Sequence, residues 1–187
     1  MATTSRGPNW ADHMQGGTVF SVAHLSPIFT DYFMPAVAPT KRKPGRAAAT
    51  IKLHIYYSHH CFTQALAKVQ NPDPDHYYYC SARRETRIFC VNRWQESKAL
   101  PVIVSSISTC FFTRHHNYFV IRNPTNPALG DYFVYFTVKL NRSGGFVDVQ
   151  IESAYPRLDS QREKHAGKVS FAVLVMNAFR GVDTHTP

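Results

Sequence analysis

The sequence contains no apolar run near the roughly 18 residues that cross a bilayer, and no apolar secretory signal near its start. No membrane partner is therefore expected, and the predicted localisation is cytoplasmic. Cysteines are few, and the four lie at Cys61, Cys80, Cys90 and Cys110. Because this spacing contains neither paired CxxC motifs nor a dense disulfide framework, buried free thiols are expected.

Acidic residues are also scarce. Twelve Asp and Glu stand against twenty-one Lys and Arg, which leaves a formal net charge of +9. A field of this sign attracts polyanions, so the expected partner is nucleic acid, with RNA favoured, or an acidic protein. Net charge also serves solubility, and charge alone does not decide between these interpretations.

The chain has 187 residues, and its hydrophobic content of 44% is enough for the core of one domain. Ten Tyr and thirteen Phe favour strands over a helical bundle. Residues 1–48 show no sustained helix or strand period and contain a basic cluster at 41–46, which predicts a partly irregular, partly flexible N-terminal arm. Residues 49–187 are predicted to form a single α+β domain, with a central antiparallel sheet of about four to six strands and one to three short helices.

Local patterns place most of the predicted elements. Alternating apolar residues predict a half-buried strand at 51–57, and a glycine-containing turn at 141–145 predicts a hairpin. The other predicted strands lie at 118–121, 132–140 and 146–155. Residues 169–176 are apolar enough for a buried strand or a terminal helix, and their β-branched residues favour the strand. Helices are predicted at 64–70 and 93–100. Residues 102–108 are interpreted as a helix, although their β-branched content favours a strand, and this helix rests partly on the family resemblance given below.

The first candidate site is Ser58-His59-His60-Cys61, which follows the first strand of the predicted domain. A neutral imidazole acts as a general base near pH 7. Because adjacent residues on a strand point to opposite faces, His59 with Cys61 is the workable pair for a nucleophilic cysteine. Exposed histidines beside a structural thiol are the alternative. Zinc ligands are available, but their scattered spacing gives no support, so no metal and no cofactor is expected. These ligands are Cys61, Cys80, Cys90 and one of His59, His60 or His76.

Two further segments combine cations with aromatic or polar groups. Arg84, Arg87, Arg93 and Trp94 interleave guanidinium groups with a ring, as expected where protein contacts phosphates and bases. Such mixtures also occur on ordinary surfaces.

Strand alternation at 147–157 puts Ser153, Tyr155 and Arg157 on the face of the apolar residues before them, which predicts a polar rim to a site. A plain strand end is the alternative. His115 and His116 add further imidazoles of the kind that a phosphodiester-cleaving site can use.

The order of these elements carries a family resemblance. A strand ending in His59-His60-Cys61 is followed by a helix, by Arg93 and by a hairpin whose last strand contains Ile151-Glu-Ser-Ala-Tyr-Pro156. This arrangement resembles the toxin-type ribonucleases grouped with barnase, EndoU, colicin D and RelE, particularly their phage- and mobile-element-associated branch.

The resemblance implies a metal-independent endoribonuclease that serves as a toxin or mobile-element effector. His59 or His60 is then the base or acid, Arg93 and Arg157 bind the phosphate, and Ser153 and Tyr155 position it. The alternative is a non-enzymatic regulator or inhibitor, encoded on a phage or plasmid, that binds nucleic acid or protein.

Overall fold

The computed structural model describes residues 8–40, 44–81, 83–112, 117–123, 125–157 and 167–182. Strand accounts for 46% and helix for 24% of these described residues, so this part of the chain is mostly β. Within these ranges, no helix is both long and apolar enough to span a membrane.

Twelve strands and three α-helices occur in the described ranges. The strands are β1 His13–Gln15, β2 Thr18–Phe20, β3 Ile28–Met34, β4 Ala49–Tyr57, β5 Thr63–Gln64, β6 Tyr77–Cys80, β7 Glu85–Phe89, β8 Thr109–Phe112, β9 Asn117–Arg122, β10 Asp131–Asn141, β11 Phe146–Arg157 and β12 Gly167–Ser170. The α-helices are α1 Val91–Ser97, α2 Leu100–Ser105 and α3 Phe171–Phe179. Short 3₁₀ helices lie at Ala23–Leu25, His59–Cys61, Leu66–Lys68, Pro74–His76 and Pro127–Leu129.

Seven strands form the main sheet in the order β12-β8-β9-β10-β11-β4-β3, curled into a half-barrel. All neighbours are antiparallel except β4 and β11, which run parallel. A second sheet has the order β5-β7-β6, and β1 pairs with β2. The predicted antiparallel sheet of four to six strands is therefore wrong. Parallel pairing joins segments about 90 residues apart, and such long-range contacts leave no local period in the sequence.

The strand predicted at 51–57 lies within β4, and Ile51, Leu53, Ile55 and Tyr57 are buried as the alternation required. The hairpin is also confirmed, since β10 and β11 are antiparallel neighbours joined by the predicted turn, with Asn141 paired to Phe146 beside it. β3, which lies inside the segment predicted as an arm, pairs with β4 and forms one edge of the sheet.

A β-bulge interrupts β11. Tyr135 pairs with Ser153 while Phe136 pairs with Ile151, so Glu152 is the extra residue. Ile151 and Ala154 are consequently both fully buried in the main core, although strict alternation would put them on opposite faces. The expectation that Ser153, Tyr155 and Arg157 share the face of Ile151 is wrong, because the extra residue turns them to the other face. Tyr155 there packs with a second aromatic cluster, made of Phe111, Tyr118, Phe133 and Tyr135.

Two local predictions are also wrong. Residues 171–176 lie in helix α3, because the Ser170 hydroxyl accepts the N–H of Val173 and caps the helix. Its buried residues are Phe171, Leu174, Val175 and Ala178, which is a helical period. The helix predicted at 64–70 is instead the end of β5 and a 3₁₀ turn. The helices predicted at 93–100 and 102–108 correspond, with shifted ends, to α1 and α2.

Candidate functional site

The candidate site lies where the end of β4 meets the small sheet. Here the chain leaves β4 through a 3₁₀ turn at His59–Cys61, and the Ser58 hydroxyl caps this turn by accepting the N–H of His60. The Ser58 N–H donates to the Ile151 carbonyl of β11 at 2.8 Å, which fixes the turn beside the bulge. The turn therefore presents two successive histidines from a rigid position.

Glu85, the first residue of β7, contacts both histidines. Its Oε2 lies 3.3 Å from His59 Nε2 and 3.6 Å from His60 Nε2. Turn residues 83 and 84 precede it directly, and Arg84 adopts a left-handed φ of 52°. We call the group His59, His60, Glu85 and Arg87 the junction site.

Arg87 fixes the carboxylate from the other side. Its Nη1 donates to Glu85 Oε1 at 2.8 Å, and its Nε donates to the Thr63 hydroxyl at 2.8 Å. The same hydroxyl donates to the His59 carbonyl at 2.8 Å. This closed set of bonds ties the small sheet to the turn, so the carboxylate has one defined orientation.

Trp10 covers His59. The indole Nε1 donates to the Tyr57 carbonyl at 2.8 Å, and its ring centroid lies 5.2 Å from that of His59. His59 is consequently 1% exposed, whereas the side chain of His60 is 38% exposed. The two imidazoles thus differ in access to solvent although they are adjacent in the sequence.

Arg93 links the junction site to β11. Its Nη1 donates to the carbonyls of His60 at 3.2 Å and Thr63 at 2.8 Å. Its Cζ also lies 4.7 Å from the centroid of the Tyr155 ring, within range of a cation–π contact. A half-buried guanidinium therefore lies between the histidine turn and the bulged strand.

The electrostatics of the junction site favour neutral imidazoles beside an ionised carboxylate. Burial, helped by the neighbouring His60, lowers the pKa of His59 to about 4. Burial and the Arg87 charge also lower the pKa of His60. The hydrogen bond from Arg87 lowers the pKa of Glu85 to about 2. Both imidazoles are therefore available as bases or as ligands near neutral pH.

Five residues predicted from the sequence meet at this place, namely His59, His60, Arg87, Arg93 and Tyr155. Ser153 lies on the same face of β11 as Tyr155, two residues away. Arg84 is exposed in the turn that precedes Glu85.

The remaining predicted residues lie elsewhere. The Trp94 ring packs edge-on against Phe20, donates to the Ser21 carbonyl and stacks under the Lys98 ammonium. The Arg157 guanidinium contacts the Tyr135 hydroxyl and the face of Phe133. His115 and His116 lie outside the described residues.

Cys61 does not suit the predicted nucleophile. It is fully buried, and burial raises the pKa of its thiol to about 12, so no thiolate forms near neutral pH. The strand geometry assumed for His59 with Cys61 is also wrong, because these residues lie in a 3₁₀ turn. In the described part of the chain, the group of potential metal ligands is His59, His60 and Glu85, with no cysteine among them.

Glu85, Thr63 and Trp10 were missed by reasoning from the sequence. Glu85 carries the most visible signal, since it is an isolated acid in the run Arg83-Arg84-Glu85-Thr86-Arg87. Trp10 lies in the segment predicted as an arm, where no local pattern indicates what it covers.

The family model described as the YjaZ family matches residues 12–179. The chain belongs to the YjaZ family. No curated protein and no solved structure matches it. The YjaZ family match covers every residue of the junction site, and it shows no link to the toxin ribonucleases.

Proposed function

We propose that this protein acts on RNA at the junction site as a metal-independent endoribonuclease. The supporting observation is the meeting of His60, Arg87, Arg93 and Tyr155, which come from separate segments, at one place on a chain of net charge +9. Cleavage without metal needs a base for the 2′-hydroxyl, an acid for the leaving oxygen and cations for the phosphate charge.

His60 is the imidazole that contacts RNA in this proposal. Its side chain is 38% exposed, whereas His59 is covered by Trp10 and instead fixes the Glu85 carboxylate. The guanidinium groups of Arg87 and Arg93 supply positive charge beside the histidine turn, where both donate hydrogen bonds to Thr63.

Incubation of purified protein with tRNA or total RNA in EDTA tests the proposal. We expect cleavage, and we expect His60→Gln to reduce its rate by about 10²–10⁴-fold, the usual contribution of a general acid or base. His76→Gln is the matched control, because His76 is a partly exposed histidine that contacts Gln15 rather than the junction site. Absence of cleavage at micromolar protein contradicts the proposal.

One observation favours a second candidate, a non-enzymatic protein that binds nucleic acid or an acidic protein. The Glu85 carboxylate lies 3.6 Å from His60 and opposes the approach of a phosphate to that imidazole. Binding would then depend on the overall charge rather than on the junction site. Filter binding of RNA tests this candidate. We expect the affinity for RNA to fall steeply with salt concentration and to be unchanged by His59→Ala and His60→Ala, and we expect no cleavage of the RNA.

A further inference from the structure

We propose that the junction site binds a transition-metal ion of the Zn²⁺ class through His59 Nε2, His60 Nε2 and Glu85 Oε2. The three ligand atoms lie within 4.8 Å of one another. They come from two rigid elements, the capped 3₁₀ turn and the first residue of β7. This metal site goes beyond the proposed action on RNA and does not depend on it.

The distances between the ligand atoms match a coordination shell better than a hydrogen-bonded one. Zinc bonds of about 2.0–2.1 Å in a tetrahedron separate neighbouring ligand atoms by about 3.3 Å. The two distances to Glu85 Oε2 are 3.3 and 3.6 Å. A charge-assisted hydrogen bond would be shorter, at about 2.7–2.9 Å. Both imidazoles thus point one nitrogen at the same oxygen without forming a short bond to it.

The donor set selects the kind of ion. Two imidazole nitrogens and one carboxylate oxygen suit Zn²⁺, Co²⁺, Ni²⁺ or Cu²⁺, whereas Mg²⁺ and Ca²⁺ prefer shells of oxygen. No thiolate takes part, because Cys61 is fully buried and bonds to the Ile151 carbonyl.

The surroundings hold the ligands in place. Arg87 binds the other carboxylate oxygen, Oε1, at 2.8 Å and leaves Oε2 directed at the histidines. Trp10 packs on the His59 ring and fixes its plane. Such outer contacts orient ligands and tune affinity in metal sites. The positive charge of Arg87 weakens cation binding, so we expect an affinity below that of structural zinc sites.

Three protein ligands leave a fourth tetrahedral position, which is the pattern of a reactive rather than a structural zinc site. It faces the accessible side, since the side chains of His60 and Glu85 are 38% and 40% exposed. If the proposed cleavage of RNA holds, the ion occupies the His60 nitrogen that cleavage requires. Zn²⁺ should then inhibit the reaction measured in EDTA.

Calorimetric titration of untagged, EDTA-treated full-length protein with Zn²⁺ tests the site. We expect one ion per chain, no binding of Mg²⁺, and a visible spectrum of tetrahedral type on loading with Co²⁺. Glu85→Gln and His60→Gln should each weaken Zn²⁺ binding by about 100-fold or more, since the loss of outer-shell contacts alone costs 10–100-fold. His76→Gln should bind like the wild type.

Near-ultraviolet circular dichroism of the variants, with no metal added, separates a lost ligand from a lost fold. In wild-type protein, imidazole ¹⁵N shifts of His59 and His60 on adding Zn²⁺ give a readout that needs no variant. Failure to bind Zn²⁺, binding that is unchanged in Glu85→Gln, or binding abolished only by blocking thiols overturns the metal site. None of these results concerns cleavage in EDTA, so the two proposals fail separately.

Discussion

His59 and His60 are adjacent in the sequence, yet their surroundings differ. Trp10 and the closed bonds from Thr63 bury His59, which leaves its Nδ1 without a hydrogen-bond partner. Protonation of an imidazole buried in this way is unfavourable, because the charged form would lack solvation. The side chain of His60 is partly exposed to solvent, so a ligand can contact it. Burial therefore gives the two adjacent imidazoles different access to solvent.

The pKa of His59 predicts loss of stability in mild acid. Its pKa is 6.5 when unfolded and about 4 when folded, so the unfolded chain binds the proton more readily between those values. His60, Glu85 and Arg87 face this ring, and the Glu85 carboxylate, with a pKa of about 2, stays ionised throughout. Stability from His59 is fully present above pH 6.5 and falls as pH drops toward 4.

Urea unfolding in EDTA at pH 7 and pH 5 measures this effect. We expect the free energy of unfolding to fall by about 1–2 kcal/mol from His59 alone, discounted for partial screening. His59→Gln removes the titrating group, so the difference between the two pH values should shrink in that variant. An equal difference in both proteins would show that His59 is not the source.

At the scale of elements, the bulge at Glu152 decides which side chains reach the junction site. Val147, Val149 and Ile151 are fully buried in the main core, whereas Tyr155 lies on the opposite face under Arg93. Alternation predicts the first part of β11 correctly. It fails after residue 151 because one extra residue reverses the face of everything that follows.

Deleting Glu152 should therefore damage the fold severely. Without the extra residue, regular alternation sends Ser153, Tyr155 and Arg157 toward the apolar core, where an unpaired guanidinium is costly. We expect loss of cooperative thermal unfolding, followed by circular dichroism. Glu152→Ala keeps the backbone and should change stability by less than about 1 kcal/mol. Cooperative unfolding of the deletion protein would show that the bulge does not set the register.

Helix α3 shows why the strand predicted at 169–176 from β-branched composition is wrong. Val169, Val173 and Val175 favour a strand by propensity, but the apolar positions from Phe171 to Ala178 follow a helical period, and Ser170 supplies a cap. The hairpin of β10 and β11 was predictable because its turn and its alternation are both local. The helical period of the apolar residues and the cap from Ser170 therefore decide the structure of this segment, and tertiary packing of its buried residues outweighs the strand propensity of its β-branched residues.

At the scale of the whole molecule, the unpredictable part is what distant segments assemble. The histidines, Arg93 and Tyr155 were recognisable as reactive or cationic types in suggestive local patterns. Glu85 was not, since its contact with His59 requires a separate small sheet to be placed against the end of β4. The parallel pairing of β4 with β11 likewise depends on contacts that no local window of sequence contains.

The contact between Trp10 and His59 turns the amino-terminal segment into an optical probe of the junction site. The protein has two tryptophans, and the other one, Trp94, is packed against Lys98 and Phe20. A proton or a metal ion on the His59 ring alters its ability to quench the adjacent indole. Emission from residue 10 should thus change during acidification or metal loading, while emission from residue 94 stays constant.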